Sequence, residues 1–274
     1  MPLNLHSFPH HRLHYYNQAP RTNRFLALFL SALVLTLIAI FFRSYFGFTI
    51  PSSMSLQSIS IPDLLLAALF SFSRLLFAYI FSLVLAVTIA IIVTSHRHVE
   101  NFVLPVLDIL QSVPVLAFFP IAVIAFAKTG FLEGAAVFIL LTAMMWSILF
   151  SVLGAIHSIP RDIELASEIF GARKLKYLRH VLLPAVFPSI ITGSILAWGA
   201  GWNIIIVAEF INFGNVHEIL PGLGSTLDQA AAAIGPGNTV LFIAALLTLV
   251  ALVIAINRLI WQPLINLSER YKFD

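Results

Sequence analysis

Six stretches of this chain run apolar for about twenty residues each, the length needed to cross roughly 30 Å of hydrocarbon. They cover residues 25–42, 75–94, 102–127, 132–153, 185–207 and 238–260, and the second has a helical lead-in from Asp63. No water-soluble core of 274 residues can hide that much apolar surface. Composition agrees: 60% of residues are hydrophobic and 10% charged, where a soluble domain carries about a quarter charged. The expected fold is an all-α integral membrane protein with six transmembrane helices. A cytoplasmic N-terminal arm (1–24) precedes the six-span domain (25–260), and a cytoplasmic C-terminal tail (261–274) follows it. Within the third stretch, Pro105, Asp108, Gln111, Pro114 and Pro120 predict an irregular elbow. The run after the N-terminal arm is too long for a cleavable signal and lacks a small-residue cleavage site.

The basic residues choose the orientation. Twelve of the fifteen Lys and Arg fall on the face that holds both termini; Arg43, Arg74 and Lys128 alone fall on the other. The positive-inside rule puts the termini and the opening stretch in the cytoplasm. Residues 209–237 then form the longest external connection, without Lys or Arg and punctuated by Pro221, Gly222, Gly224 and Gly235, which reads as a surface-lying or re-entrant segment. Several function classes drop out. A net charge of +3, scattered along the chain, offers no nucleic-acid footprint. The absence of cysteine excludes disulfides and thiolate chemistry. The nine histidines, four of them (His6, His10, His11, His14) in the arm, show no metal spacing. Phosphate-binding Gly-x-x-x-x-Gly-Lys-Ser/Thr is missing: Gly222-Leu223-Gly224-Ser225-Thr226 is glycine-rich but carries no lysine. We expect no catalytic residue, metal or cofactor in this chain.

Against that scarcity of charge, residues 161–180 hold eight charged side chains: Arg161, Asp162, Glu164, Glu168, Arg173, Lys174, Lys176 and Arg179. Residues 162–170 lack Gly and Pro and predict a short helix with Ile163, Ala166 and Phe170 on one side. Pro160 and the acidic residues suit its N-terminal turn, and Gly171 suits the reversal past its end. A second helix over 173–182 has Leu175, Leu178 and Leu182 on one face, with Pro184 breaking it before the fifth span. Two readings are open: a basic hairpin that anchors the fifth span to anionic lipid, or a docking element for a cytoplasmic protein. Phe170, a large apolar side chain on a water-facing element, suits an interface anchor, with packing on its own helices as the alternative.

Spacing favours docking. The loop resembles the shared cytoplasmic motif of the permease subunits of bacterial ATP-binding-cassette importers: a Glu-Ala-Ala triplet, a glycine four residues on, and a Leu-Pro pair ending thirteen residues after that glycine. Gly171 and Leu183-Pro184 stand in register, with Val181 at the aliphatic position. Leu165, Ala166 and Ser167 fill the triplet, and the acid is displaced to Glu164, which leaves that residue's role open. Residues 107–120 (LDILQSVPVLAFFP) and 200–210 (AGWNIIIVAEF) are similar to the third-span elbow and fifth-span end of the nitrate, sulfonate and taurine branch. The resemblance covers roughly residues 60–260. It implies a type I importer permease that binds no ATP itself. Its 160–184 loop would form coupling helices seated on a cytoplasmic ATPase dimer, with Arg161, Glu164, Ala166, Ser167, Phe170, Gly171, Arg173, Lys174 and Pro184 as the coupling residues. It further implies an external solute-binding protein and a second permease copy, with a homodimer the simplest arrangement. The branch points to a small oxyanion or sulfonate.

Polar residues inside spans are functional candidates because they are costly there. These are Asp108 and Gln111 near the elbow, and Thr192, Ser194, Trp198, Trp202, Asn203 and Glu209 in the fifth span. Trp198 and Asn203 are candidates for the wall of the translocation path. Glu209 is open to three roles: a gate, a contact for the binding protein, or a marker of the water interface. Gly193, Gly199 and Gly201 suit close helix packing, and Arg43 and Arg74 read as snorkelling or anion-attracting arginines. An ion-coupled secondary transporter is the rival from another class, and a membrane assembly factor is a third. No well-centred span carries the carboxylate the first requires. The second leaves the glycine-to-proline register unexplained.

Overall fold

The computed structural model describes residues 61–172, 175–214, 216–232 and 236–271. The first expected span, residues 25–42, lies outside them, as do Arg43, Arg173 and Lys174. The second span and its lead-in form one 34-residue helix, α1 (Ile61–Thr94). Next come α2 (Arg97–Ser112), a 3-10 turn (Val115–Phe118) and α3 (Phe119–Ala127), then α4 (Leu132–His157) and α5 (Arg161–Ile169). Helix α6 runs from Leu175 to Glu209 and α8 from Thr239 to Tyr271, with a hairpin of β1 (Phe210–Phe213) and β2 (Val216–Ile219) and helix α7 (Leu223–Ala232) between them. Among the described residues four helices, α1, α4, α6 and α8, are long and apolar enough to cross a membrane, and the α2–α3 pair makes a fifth if it counts as one span.

That pair is bent by 90°. Only one of its prolines makes the bend. Pro114 forbids helical ψ at the preceding residue, and Val113 sits at φ −73°, ψ 126°. Pro105 stays inside α2, and Pro120 occupies the first turn of α3, where no intrahelical N–H is needed.

The core is α1, α4 and α6, with α4 in contact along both neighbours. In lipid, apolar side chains gain little by leaving their solvent, so helices associate through close packing. The sequence provides for it: Ala78, Ser82, Ala86 and Ala90 recur every fourth residue of α1 and are fully buried. Ser82 Oγ donates to the Leu141 carbonyl of α4 at 3.0 Å. On α6, a Cβ at Gly193 would stand 3.0 Å from the Ile148 Cα of α4. Gly199, the third glycine expected at a packing face, meets no neighbour within 4 Å. Large apolar residues face outward instead: Phe81, Val84 and Ile92 on α1, and Val240, Leu247 and Ile254 on α8.

One expectation is corrected here. Pro184 does not break the chain; α6 continues through it. Proline at 184 cannot donate to the His180 carbonyl, and the helix widens just upstream, over Leu178–Leu182, into a π segment whose Leu183 N–H reaches the Leu178 carbonyl. Pro263 does the same in α8, where a π segment spans Asn257–Trp261 and the helix runs on past residue 260 to Tyr271. The fold is mostly helical, as expected, with one short hairpin after α6. Phe210 to Phe213 pair antiparallel with Ile219 to Val216 around a tight turn in which Gly214 adopts φ 60°.

Candidate functional site

At one end of α6 lies the charged loop. Asp162 and Glu164 occupy the first turn of α5, where they face the positive end of its dipole. At the other end of α5 the Gly171 N–H donates to the Glu168 carbonyl at 3.0 Å, and the Ala172 N–H donates to the Ser167 carbonyl at 2.8 Å. With Gly171 at φ 72°, these two bonds form a Schellman reversal, which a residue with a Cβ adopts only under strain. The expected apolar side of Ile163, Ala166 and Phe170 is not the one that packs. Ile163 is half-buried and Ser167 buried, its Oγ donating to the Glu164 carbonyl at 2.7 Å. Ala166 is exposed, and the reversal carries Phe170 out to 88% exposure beside Ile169 at 82%. Phe170 therefore does not pack on the described helices. Of the expected leucine face beyond the turn, Leu182 is buried, Leu178 half-buried and Leu175 exposed. Arg161 and Glu164 are exposed, and Pro184 is half-buried within α6. Just before the loop, His157, the last residue of α4, pairs with Glu100 of α2.

The opposite end of α6 holds a second constellation, and it is buried. Glu209, the last residue of α6, is 0% exposed, and Arg74 of α1 is 2% exposed. Arg74 Nη1 donates to Glu209 Oε1 at 2.5 Å. Its Nε and Nη2 form a two-pronged contact with Glu133, the second residue of α4, at 2.8 and 2.7 Å. Ser71 Oγ donates to the same Glu209 oxygen at 2.6 Å. The other oxygen, Oε2, accepts the Gly224 N–H at 2.7 Å and the Ser225 N–H at 3.2 Å.

Those amides are the first turn of α7. A helix leaves its first four N–H groups without intrahelical partners unless something caps them. Here the residue at the capping position is Gly222, which has no side chain to offer. The cap comes from a distance: Glu209 takes two amides and Ser71 Oγ takes the Leu223 N–H at 2.8 Å, while the Thr226 N–H donates to the Gly222 carbonyl at 3.1 Å. The glycine-rich stretch is thus an anion-binding helix terminus whose anion is a carboxylate of the same chain. A Cβ at Gly222 would run into that carboxylate, and one at Gly224 would lie 2.8 Å from both Glu209 Oε2 and the Ile205 carbonyl. Removing one member of a buried ion pair strands its partner and costs about 3–5 kcal/mol.

This corrects two readings. Glu209 is not at a water interface, and Arg74 neither snorkels nor presents itself to an external anion. Sequence reasoning missed Glu133 and Ser71 altogether. The available signal was Arg74 itself: a cation within an apolar helix requires counter-charges.

The path candidates separate. Trp198 is buried, with its ring 5.7 Å from Phe72, 5.8 Å from Tyr79, 6.1 Å from Trp261 and 6.2 Å from Trp202 (centroid distances), so it belongs to an aromatic core. Tyr79 Oη donates to Ser194 Oγ at 2.9 Å in the same region. Asn203 is exposed on the outer side of α6. Asp108 and Gln111 are exposed on α2 and hydrogen-bond each other at 2.7 Å.

With the geometry in place, the chain's relatives can be considered. Residues 82–262 match the family described as binding-protein-dependent transport system inner membrane component. The chain is 30% identical over 146 residues to the bicarbonate transport system permease protein CmpB of Synechococcus elongatus, covering 53% of this chain and 51% of that protein. It is 28% identical over 144 residues to the nitrate import permease protein NrtB of Leptolyngbya laminosa, at 53% and 50% coverage. The taurine transport system permease protein TauC of Escherichia coli is 26% identical over 141 residues, at 52% and 50%. The chain spans about half the length of these relatives. The family match covers well over half of the chain and contains α4, α5, α6 and α7 whole. This multi-pass membrane protein belongs to the binding-protein-dependent transport system inner membrane component family.

Proposed function

We propose that the chain is the membrane-spanning permease subunit of an ATP-driven importer, coupled to a separate ATPase through its 160–184 loop. One observation carries the reading: Ile169 and Phe170 stand almost fully exposed at a rigid reversal, in the most charged segment of the chain. Isolated apolar side chains of this size on a water-facing helix end are costly alone and suit an interface hot spot. Arg161, Glu164, Arg173 and Lys174 would supply rim charge around Phe170. Pro184 and the π segment would pass motion into α6. The chain itself performs no catalysis.

The distribution of Lys and Arg supports a cytoplasmic position for the loop and both termini, so that the 209–232 segment faces outside. The translocation path is built together with a second copy of the chain. The partners are an ATPase dimer, an external solute-binding protein and that second permease. Relatives named for bicarbonate, nitrate and taurine support a small anion or sulfonate as solute.

Reconstitution tests the reading. Proteoliposomes holding the chain with its ATPase should take up solute against a gradient only with ATP and binding protein. Uphill uptake by the chain alone would overturn it.

A further inference from the structure

The buried end of α6 has a place in the fold that the proposed function does not use. Helix α6 starts in the charged loop at Leu175 and ends at Glu209, a continuous 35-residue rod about 50 Å long at 1.5 Å per residue. Everything beyond its end is attached to its last residue. The Leu220 N–H donates to the Glu209 carbonyl at 2.8 Å, closing the base of the hairpin. The Glu209 carboxylate holds the start of α7, and Ser71 and Arg74 fasten the same turn to α1, with Arg74 Nη2 also 3.5 Å from the Pro221 carbonyl. Leu223, Leu227 and Ala230 of α7 then pack with Leu64 and Ala68 of α1. Phe213 at the hairpin tip meets Phe119 at the α2–α3 bend, 6.5 Å between ring centroids.

We infer that Arg74, Glu209 and Ser71 are positioning residues for transport: they form a latch that stays closed through the cycle and makes residues 210–232 a rigid extension of α6. A displacement imposed at the charged loop is then delivered, through one helix, to the exposed edge of β2 at His217, Glu218 and Ile219, the surface offered to the solute-binding protein. This rests on the permease reading. The reason for permanence is physical. Four donors saturate both oxygens of Glu209, and Gly222 and Gly224 press so closely that no water fits between carboxylate and backbone. Opening would strip the Glu209 carboxylate of its donors and leave Arg74 with Glu133 alone, where nothing replaces what is lost.

The absence of native cysteine permits a direct test in the full transporter with ATPase and binding protein. Cysteines introduced at Ala68 and Leu227, one turn from the Ser71–Leu223 contact, weld α1 to α7 on oxidation. The welded transporter should move solute within about twofold of its reduced form. Separately, Glu209→Gln should lower the stimulation of ATP hydrolysis by loaded binding protein about tenfold or more, relative to hydrolysis without it, and Glu209→Asp should recover part. Transport that stops on welding and returns on reduction would overturn the inference, making the contact a gate that opens each turn. A folded Glu209→Gln transporter with full stimulation would overturn it too. If the unaltered chain fails to assemble with an ATPase, the permease reading has failed instead.

Discussion

The two ends of α6 handle charge in opposite ways. The loop before it spends eight charged residues within twenty positions, and all those described are half-buried or exposed. At the far end Arg74, Glu133 and Glu209 form one cluster, and two of those are sealed from solvent. Solvated charges are worth little individually, because water competes for them and salt screens them. Charges enclosed by apolar helices cannot lose a partner without a large penalty. The conspicuous cluster is therefore the one the fold can spare, and under the proposed function it serves as a docking surface, while the inconspicuous trio holds this chain together.

Substitutions can break or sharpen that contrast, and the largest effect belongs to the buried end. Glu209→Ala leaves Arg74 with Glu133 alone and uncaps α7, and should cost about 3–5 kcal/mol, read as a lower unfolding midpoint in detergent and reduced membrane abundance. Gly222→Ala forces a methyl group into the Glu209 carboxylate and should cost about 1–3 kcal/mol by the same measurement, as overpacking does. At the loop the sign of the comparison reverses. Phe170→Ala should leave the unfolding midpoint within about 0.5 kcal/mol of the parent yet weaken co-purification with the ATPase by about 2 kcal/mol, some thirtyfold. Smallest of all, Lys176→Ala should change neither quantity by more than about 0.5 kcal/mol, its remaining effect fading as salt is raised. A stable Glu209→Ala protein, or a Phe170→Ala protein that unfolds, would erase the distinction.

Much of the loop was legible before any coordinates, and the reason is locality. A glycine required at a left-handed position announces itself within five residues of the helix it ends, and Gly171 does so. The elbow at Pro114 follows equally from a constraint on its immediate neighbour. The register from Gly171 to Pro184 is visible along the chain, although the continuity of α6 through that proline is not, because a π segment upstream absorbs what a single proline would otherwise break. Facing was harder: Ile163 and Ser167 turn inward rather than Phe170, since packing against the neighbouring helices decides which stripe of a short amphipathic helix is covered.

The buried trio shows the other limit. Arg74 finds Glu133 across 59 positions of sequence and Glu209 across 135, and Ser71 meets Leu223 across 152. No local pattern encodes such pairings; a lone arginine in an apolar run states only that counter-charges must exist. The amino-acid sequence by itself determined the apolar runs and the glycine reversal, because lipid thickness and backbone sterics act on residues close together in the chain. Only the tertiary structure decided that a glycine-rich turn receives a carboxylate, and that one helix joins an exposed anchor to a sealed lock. Both depend on which helices touch, and contact between distant segments is settled by packing the whole bundle at once.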